Sequence, residues 1–159
     1  VYSPERRHKT IASSRENIMS AIASTAHNLH LTKPRAVLGA TVMALVANLI
    51  LWLIGLASGG SFEMTDQGKV ASVAPGGVIT LTVVPLLVGL SLAMLISLKW
   101  EPIIRIAQVV GAVFALGTIA LTIAADFDAA STVTLALMHV VVAASVVVAL
   151  EAVRRSPSN

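Results

Sequence analysis

The chain of 159 residues has no cysteine, and that absence alone removes disulfides, thiolate metal sites, iron–sulfur clusters and thiol nucleophiles from consideration. Charge is scarce as well. Only 12% of residues are charged and 4% aromatic, against about a quarter charged in ordinary soluble domains. The sequence also lacks a P-loop, an HExxH, a GxSxG and a pair of carboxylates placed for acid–base work. Asp126-x-Asp128 is far short of the roughly six oxygens a calcium site needs, and reads as a turn with a helix cap.

What fills the chain is apolar. Hydrophobic residues make up 56% of it and the mean hydropathy is +0.86. Four runs of roughly 20 residues, each long enough to cross about 30 Å of hydrocarbon, take up over half the sequence and leave no room for a separate globular domain. A pI near 9.8 would fit a nucleic-acid binder only with a dense basic face. Here the cations sit at the ends of apolar runs, which points to orientation beside anionic lipid and not to nucleic acid.

Residues 1–35 form a basic tail with Arg6, Arg7, Lys9, Arg15, Lys33 and Arg35 against Glu5 and Glu16. Ser13 and Glu16 have capping-box spacing, and Ile18, Ile22 and Leu29 share a helical face, so a short amphipathic helix on the membrane surface competes with a solvated tail. The chain opens on Val1, which predicts an alternative start codon, a processed chain or a fragment, with Met19 as an internal start. Its first apolar run has no cleavage site of the signal-peptide kind and reads as a span.

The four-span domain is expected over 36–153, with spans at about 36–57, 78–98, 103–125 and 131–150 and a disordered tail over 154–159. Pro34 sits at a helix start, and Trp52 and Trp100 are expected interface anchors. Ser58 to Gly77, rich in turn formers and ending in Pro-Gly-Gly, is the one sizeable loop. Lys99 to Pro102 is so short that the second and third spans must form an antiparallel hairpin. Asp128 or Ser131 caps the fourth span, and Glu101 with Arg105 reads as an ordinary helix pair.

With both termini cytoplasmic, ten of the eleven cations fall on that side and only Lys69 lies outside. The fold class is therefore all-α, an integral membrane four-helix bundle running antiparallel, up-down-up-down, in a plasma membrane. Each span carries one stripe of small or polar residues suited to a seam between helices: Thr41, Ala44, Asn48 and Gly55, then Thr82, Pro85 and Gly89. The third and fourth spans offer Gln108, Gly111, Ala115, Thr118 and Thr122, and Thr132, Ala136, His139 and Ala143.

At 1.5 Å per residue, Asn48, Thr118, His139 and the carbonyl freed by Pro85 fall on the order of 5 to 15 Å below the outer surface, as one buried polar layer. Two roles stay open. In one, Asn48 and His139 bond to each other or to backbone and hold the helices in register. In the other, His139 relays protons or contacts a ligand, because an ionisable group is expensive to keep inside a membrane. Haem is disfavoured, since only one intramembrane histidine exists per chain, and no cofactor or metal is expected.

The run Leu135-Ala136-Leu137-Met138-His139-Val140-Val141-Val142-Ala143-Ala144, following three other spans, resembles a family of small four-span actinobacterial membrane proteins of uncharacterised function. The resemblance covers residues 36–153 and implies the four-span architecture and a histidine in the last span, without an activity. The expected function is a non-catalytic accessory subunit or scaffold of a membrane complex, with the bilayer, other membrane proteins or a second copy as partners. The alternative is a transporter or lipophilic-ligand binder using the layer around His139. An enzyme acting on lipid or quinone is disfavoured because no nucleophile with its base is visible.

Overall fold

The computed structural model describes residues 33–66 and 68–155, all within one compact unit, Thr32–Asn159. The expected amphipathic helix and nearly all of the basic tail, like residues 156–159, lie outside the described residues. Helix α1 spans Lys33–Ala57, followed by strands β1 (Glu63–Asp66) and β2 (Lys69–Ser72), then α2 (Pro75–Ser97), α3 (Ile103–Ala124) and α4 (Ala129–Arg155). Each helix is long and apolar enough to cross a membrane. The chain is thus a helical, multi-pass membrane protein in which a hydrogen-bonded helix spares every backbone group a partner in lipid.

Several helix ends differ from the spans read off hydropathy, with α1 beginning at Lys33 and α4 at Ala129. Pro75 begins α2 ahead of Val78, in the first turn where its missing N–H leaves no bond unmade. Helix α4 continues to Arg155 because Glu151 accepts from Arg154 Nη2 at 2.6 Å and Nε at 2.8 Å and from Arg155 Nε at 2.6 Å, pairing charges one turn apart. Arg154 and Arg155 are therefore helical, where a disordered tail was expected from 154. The Glu101–Arg105 pair does not form among the described residues. Glu101 lies in the turn before α3, so the two side chains are not stacked one helical turn apart.

Helix α4 is the hub. It packs extensively against α1 on one side and α3 on the other, α2 packs mainly against α1, and α2 and α3 touch lightly. One apolar cluster joins Ala36 and Val37 at the start of α1 to Ala149, Leu150 and Val153 at the end of α4, and takes in Leu86, Leu90, Ala93 and Ile104 near the α2–α3 turn. Glycine sets the closest approaches. A Cβ on Gly111 would stand 2.8 Å from Val146 Cγ1, and one on Gly55 would stand 2.5 Å from the Phe62 ring and 2.8 Å from Thr134 Oγ1. Gln108 Nε2 donates to the Val147 carbonyl at 3.1 Å, a second tie between α3 and α4.

The connector between α1 and α2 is more ordered than its turn-rich composition implies. Strands β1 and β2 pair antiparallel from Glu63↔Ser72 to Asp66↔Lys69, closing on a tight turn with Gly68 at φ 77°. Phe62 precedes the hairpin in the left-handed region, φ 54°, and is 1% exposed. Its burial with Val78, Leu135 and Met138 outweighs the backbone strain. Trp52 packs against Phe62 with ring centroids 6.0 Å apart and donates from Nε1 to the Val73 carbonyl at 3.0 Å. The indole expected at the lipid interface instead ties the hairpin to α1.

Asp128 completes the attachment. Its Oδ1 accepts the Ser131 N–H at 2.9 Å, as an N-cap does, and its Oδ2 accepts from Ser131 Oγ at 2.6 Å and from the Ser61 N–H and Oγ at 2.9 Å each. Ser131 Oγ in turn accepts the Phe62 N–H at 2.8 Å. These bonds, those of the Ser131 hydroxyl foremost, hold the Asp128 carboxyl well below the usual carboxylate range.

Candidate functional site

Where α2 and α3 separate, away from the turn that joins them, they leave a cavity of about 290 Å³. Asn48 from α1 and Thr82 and Pro85 from α2 form one part of its wall, and Thr118 from α3 and His139 from α4 another. All four residues read as a polar layer, Asn48, Pro85, Thr118 and His139, therefore line a single space. The rest of the lining is apolar and includes Leu81, Phe114, Ala115 and Met138. Leu81 and Phe114 are 69% and 73% exposed while also lining the cavity, so its mouth opens sideways, between α2 and α3.

The polar contacts differ from those anticipated. Asn48 does not bond to His139. Its Nδ2 donates to Thr82 Oγ1 at 2.9 Å, a bond between α1 and α2, because those helices pack directly. Asn48 is 2% exposed, yet its Oδ1 has no hydrogen-bond partner, alone among the buried side-chain polar atoms of the described residues. His139 turns Nδ1 to the Leu135 carbonyl of its own helix, 2.7 Å away. A carbonyl only accepts, so Nδ1 carries the hydrogen of this bond. Thr118 donates to the Ala115 carbonyl at 2.7 Å, also within its own helix.

That local satisfaction is the ordinary state of hydroxyls in these spans. Thr41, Thr134 and Ser145 each donate to the carbonyl four residues earlier, at 2.9, 2.7 and 2.8 Å. Asn48 and Thr82 stand apart, sharing one bond and retaining an acceptor and a hydroxyl hydrogen beside the cavity. Pro85 adds to this corner by giving no N–H to the Leu81 carbonyl, although α2 continues through it.

Residues 31–156 match a family of unknown function, DUF6069. The chain belongs to this family. The DUF6069 match runs from before α1 to past the end of α4, so every wall of the cavity lies inside it. No curated protein and no solved structure matches the chain.

Sequence reasoning placed Thr82 on a seam but not in the layer, though its position three residues before Pro85 carried the signal. The seam of α2 is Val78, Thr82, Leu86 and Leu90, while Pro85 and Gly89 are exposed. Phe114 gave no signal at all, being an apolar residue in an apolar run, and Leu81 was marked only by its backbone carbonyl. Helix α4 buries Ser131, Thr134, Leu135 and Met138 beside the expected Ala143, because it meets neighbours on two sides and not along one stripe.

Proposed function

We propose that this membrane protein binds a small lipophilic molecule within the bilayer, in the cavity bounded by all four helices and reached sideways between α2 and α3. The observation that carries the reading is that cavity, mostly apolar with a few polar groups in its wall, as ligand sites are. Its volume of about 290 Å³ is roughly twice that of an apolar cavity of about 150 Å³ that holds benzene. No catalytic step, cofactor or metal is assigned to it. The charge distribution supports an up-down-up-down arrangement with both termini cytoplasmic, since ten of eleven cations then stay inside. The resemblance of the last span to actinobacterial proteins supports a bacterial plasma membrane.

A role as accessory subunit or scaffold draws on α3, the least buried of the four helices, with Val109, Val110, Val113 and Leu116 exposed along it. Recovery of a stable complex through α3 from native membranes supports that role beside ligand binding.

The cavity reading is tested by photolabelling in lipid nanodiscs with an aliphatic diazirine, followed by peptide mapping. Labelling concentrated on 78–85, 114–118 and 138–142, and lost when Ala115→Leu fills the cavity, is the expected result. Uniform labelling of all exposed faces, unchanged by Ala115→Leu, refutes it.

A further inference from the structure

We infer that the ligand of this cavity carries a hydroxyl group, which donates its hydrogen to Asn48 Oδ1 and accepts one from the Thr82 hydroxyl; the inference rests on the cavity reading above. Two facts converge on it. Asn48 is 2% exposed and lines the cavity, and its Oδ1 is without a donor in a region where no bulk water supplies one. Thr82 is equally buried, lines the same cavity and accepts from Asn48 Nδ2, and no bond from its own hydrogen forms among the described residues.

One buried acceptor next to one buried donor is the complement of a single hydroxyl, which is both. A ketone, ester or ether accepts only. It takes the Thr82 hydrogen but leaves Asn48 Oδ1 without a donor. An apolar body of one or two rings then fills the space lined by Leu81, Phe114 and Met138.

The test compares 2-naphthol with 2-methoxynaphthalene, which share the apolar body and differ in the donated hydrogen. Each competes with the diazirine label for the full-length protein in nanodiscs, at matched mole fractions in the bilayer so that partitioning cancels. Protection by 2-naphthol at a concentration about two- to twelvefold lower than the ether, the range one neutral hydrogen bond confers, is expected. In Asn48→Leu the two compounds should converge. Thr82→Val, which keeps the side-chain shape, gives the same readout if Asn48→Leu does not fold. Equal protection by both compounds overturns the hydroxyl assignment and leaves the cavity reading standing. Protection by neither, as when water alone occupies the Asn48 corner, overturns the hydroxyl assignment, and uniform diazirine labelling overturns the cavity reading itself. A naphthol preference that survives in both variants overturns the assignment to Asn48 and Thr82.

Discussion

Replacing Asn48 by leucine separates a residue kept for structure from one kept for a ligand. The substitution removes the bond to Thr82, and an interhelical side-chain bond in a membrane contributes about 0.6 to 1.7 kcal/mol. It also removes a buried carbonyl oxygen with no partner, which relieves about 1 to 3 kcal/mol. The larger side chain has the adjoining cavity of about 290 Å³ to occupy, so overpacking adds little. Thr82, released from Asn48, can donate to its own helix as Thr134 does to Ala130. The balance runs from about 0.7 kcal/mol destabilising to about 2.4 kcal/mol stabilising, with its centre near 1 kcal/mol on the stabilising side. Equilibrium unfolding of the ligand-free protein in mixed micelles measures it. A loss of more than about 2 kcal/mol refutes the reasoning, because Asn48 would then be a fully satisfied structural residue. Gained stability together with lost discrimination between naphthol and its ether is the pattern of a binding group retained at the expense of stability.

Gly111→Ala puts a Cβ 2.8 Å from Val146 Cγ1 and should lower stability by about 1 to 3 kcal/mol in thermal unfolding, whereas Gly89→Ala, with nothing within 4 Å, should be neutral or raise it by up to about 1 kcal/mol. Because the folded-state pKa of Asp128 lies below its unfolded value of about 3.9, its contribution to stability is complete above that pH and is lost as pH falls through the folded value. Protease cutting of the hairpin should therefore stay constant from about pH 5 to 8 and rise only in stronger acid, and Asp128→Asn should remove that acid dependence; a change centred near neutrality contradicts it. Phe62→Ala empties the core of the loop attachment and should cost about 3 to 5 kcal/mol, with a shift in Trp52 fluorescence as the site-specific readout. A phosphatase fused at Gly60 should be active and one fused at the C-terminus inactive; the reverse pattern inverts the orientation drawn from the cations.

The loop shows where legibility stopped. Gly59, Gly68 and Pro75 marked a connector correctly, since their backbone preferences are local. Nothing local announced that Phe62 would be buried or that Ser61, Asp128 and Ser131 would meet, because Asp128 lies 67 residues from Ser61. The cap itself was readable, Asp128 being adjacent to the helix it caps, but its second set of bonds was not.

The sequence by itself determined the solvent and the number of helices. A bilayer demands about 20 apolar residues per crossing whatever the fold, so four runs mean four spans. It also grouped Asn48, Pro85, Thr118 and His139, which line one cavity, because helical rise is constant. The stripe Thr41, Ala44, Asn48 and Gly55 named the inward face of α1, but only the tertiary structure decided the inward faces of α2 and α4. In lipid the inward and outward faces are both apolar, so the amphipathic signal that marks a core in water is missing, and close packing selects the seam. That packing made α4 the hub, joined Asn48 to Thr82 and not to His139, and parted α2 from α3 to leave the cavity between them.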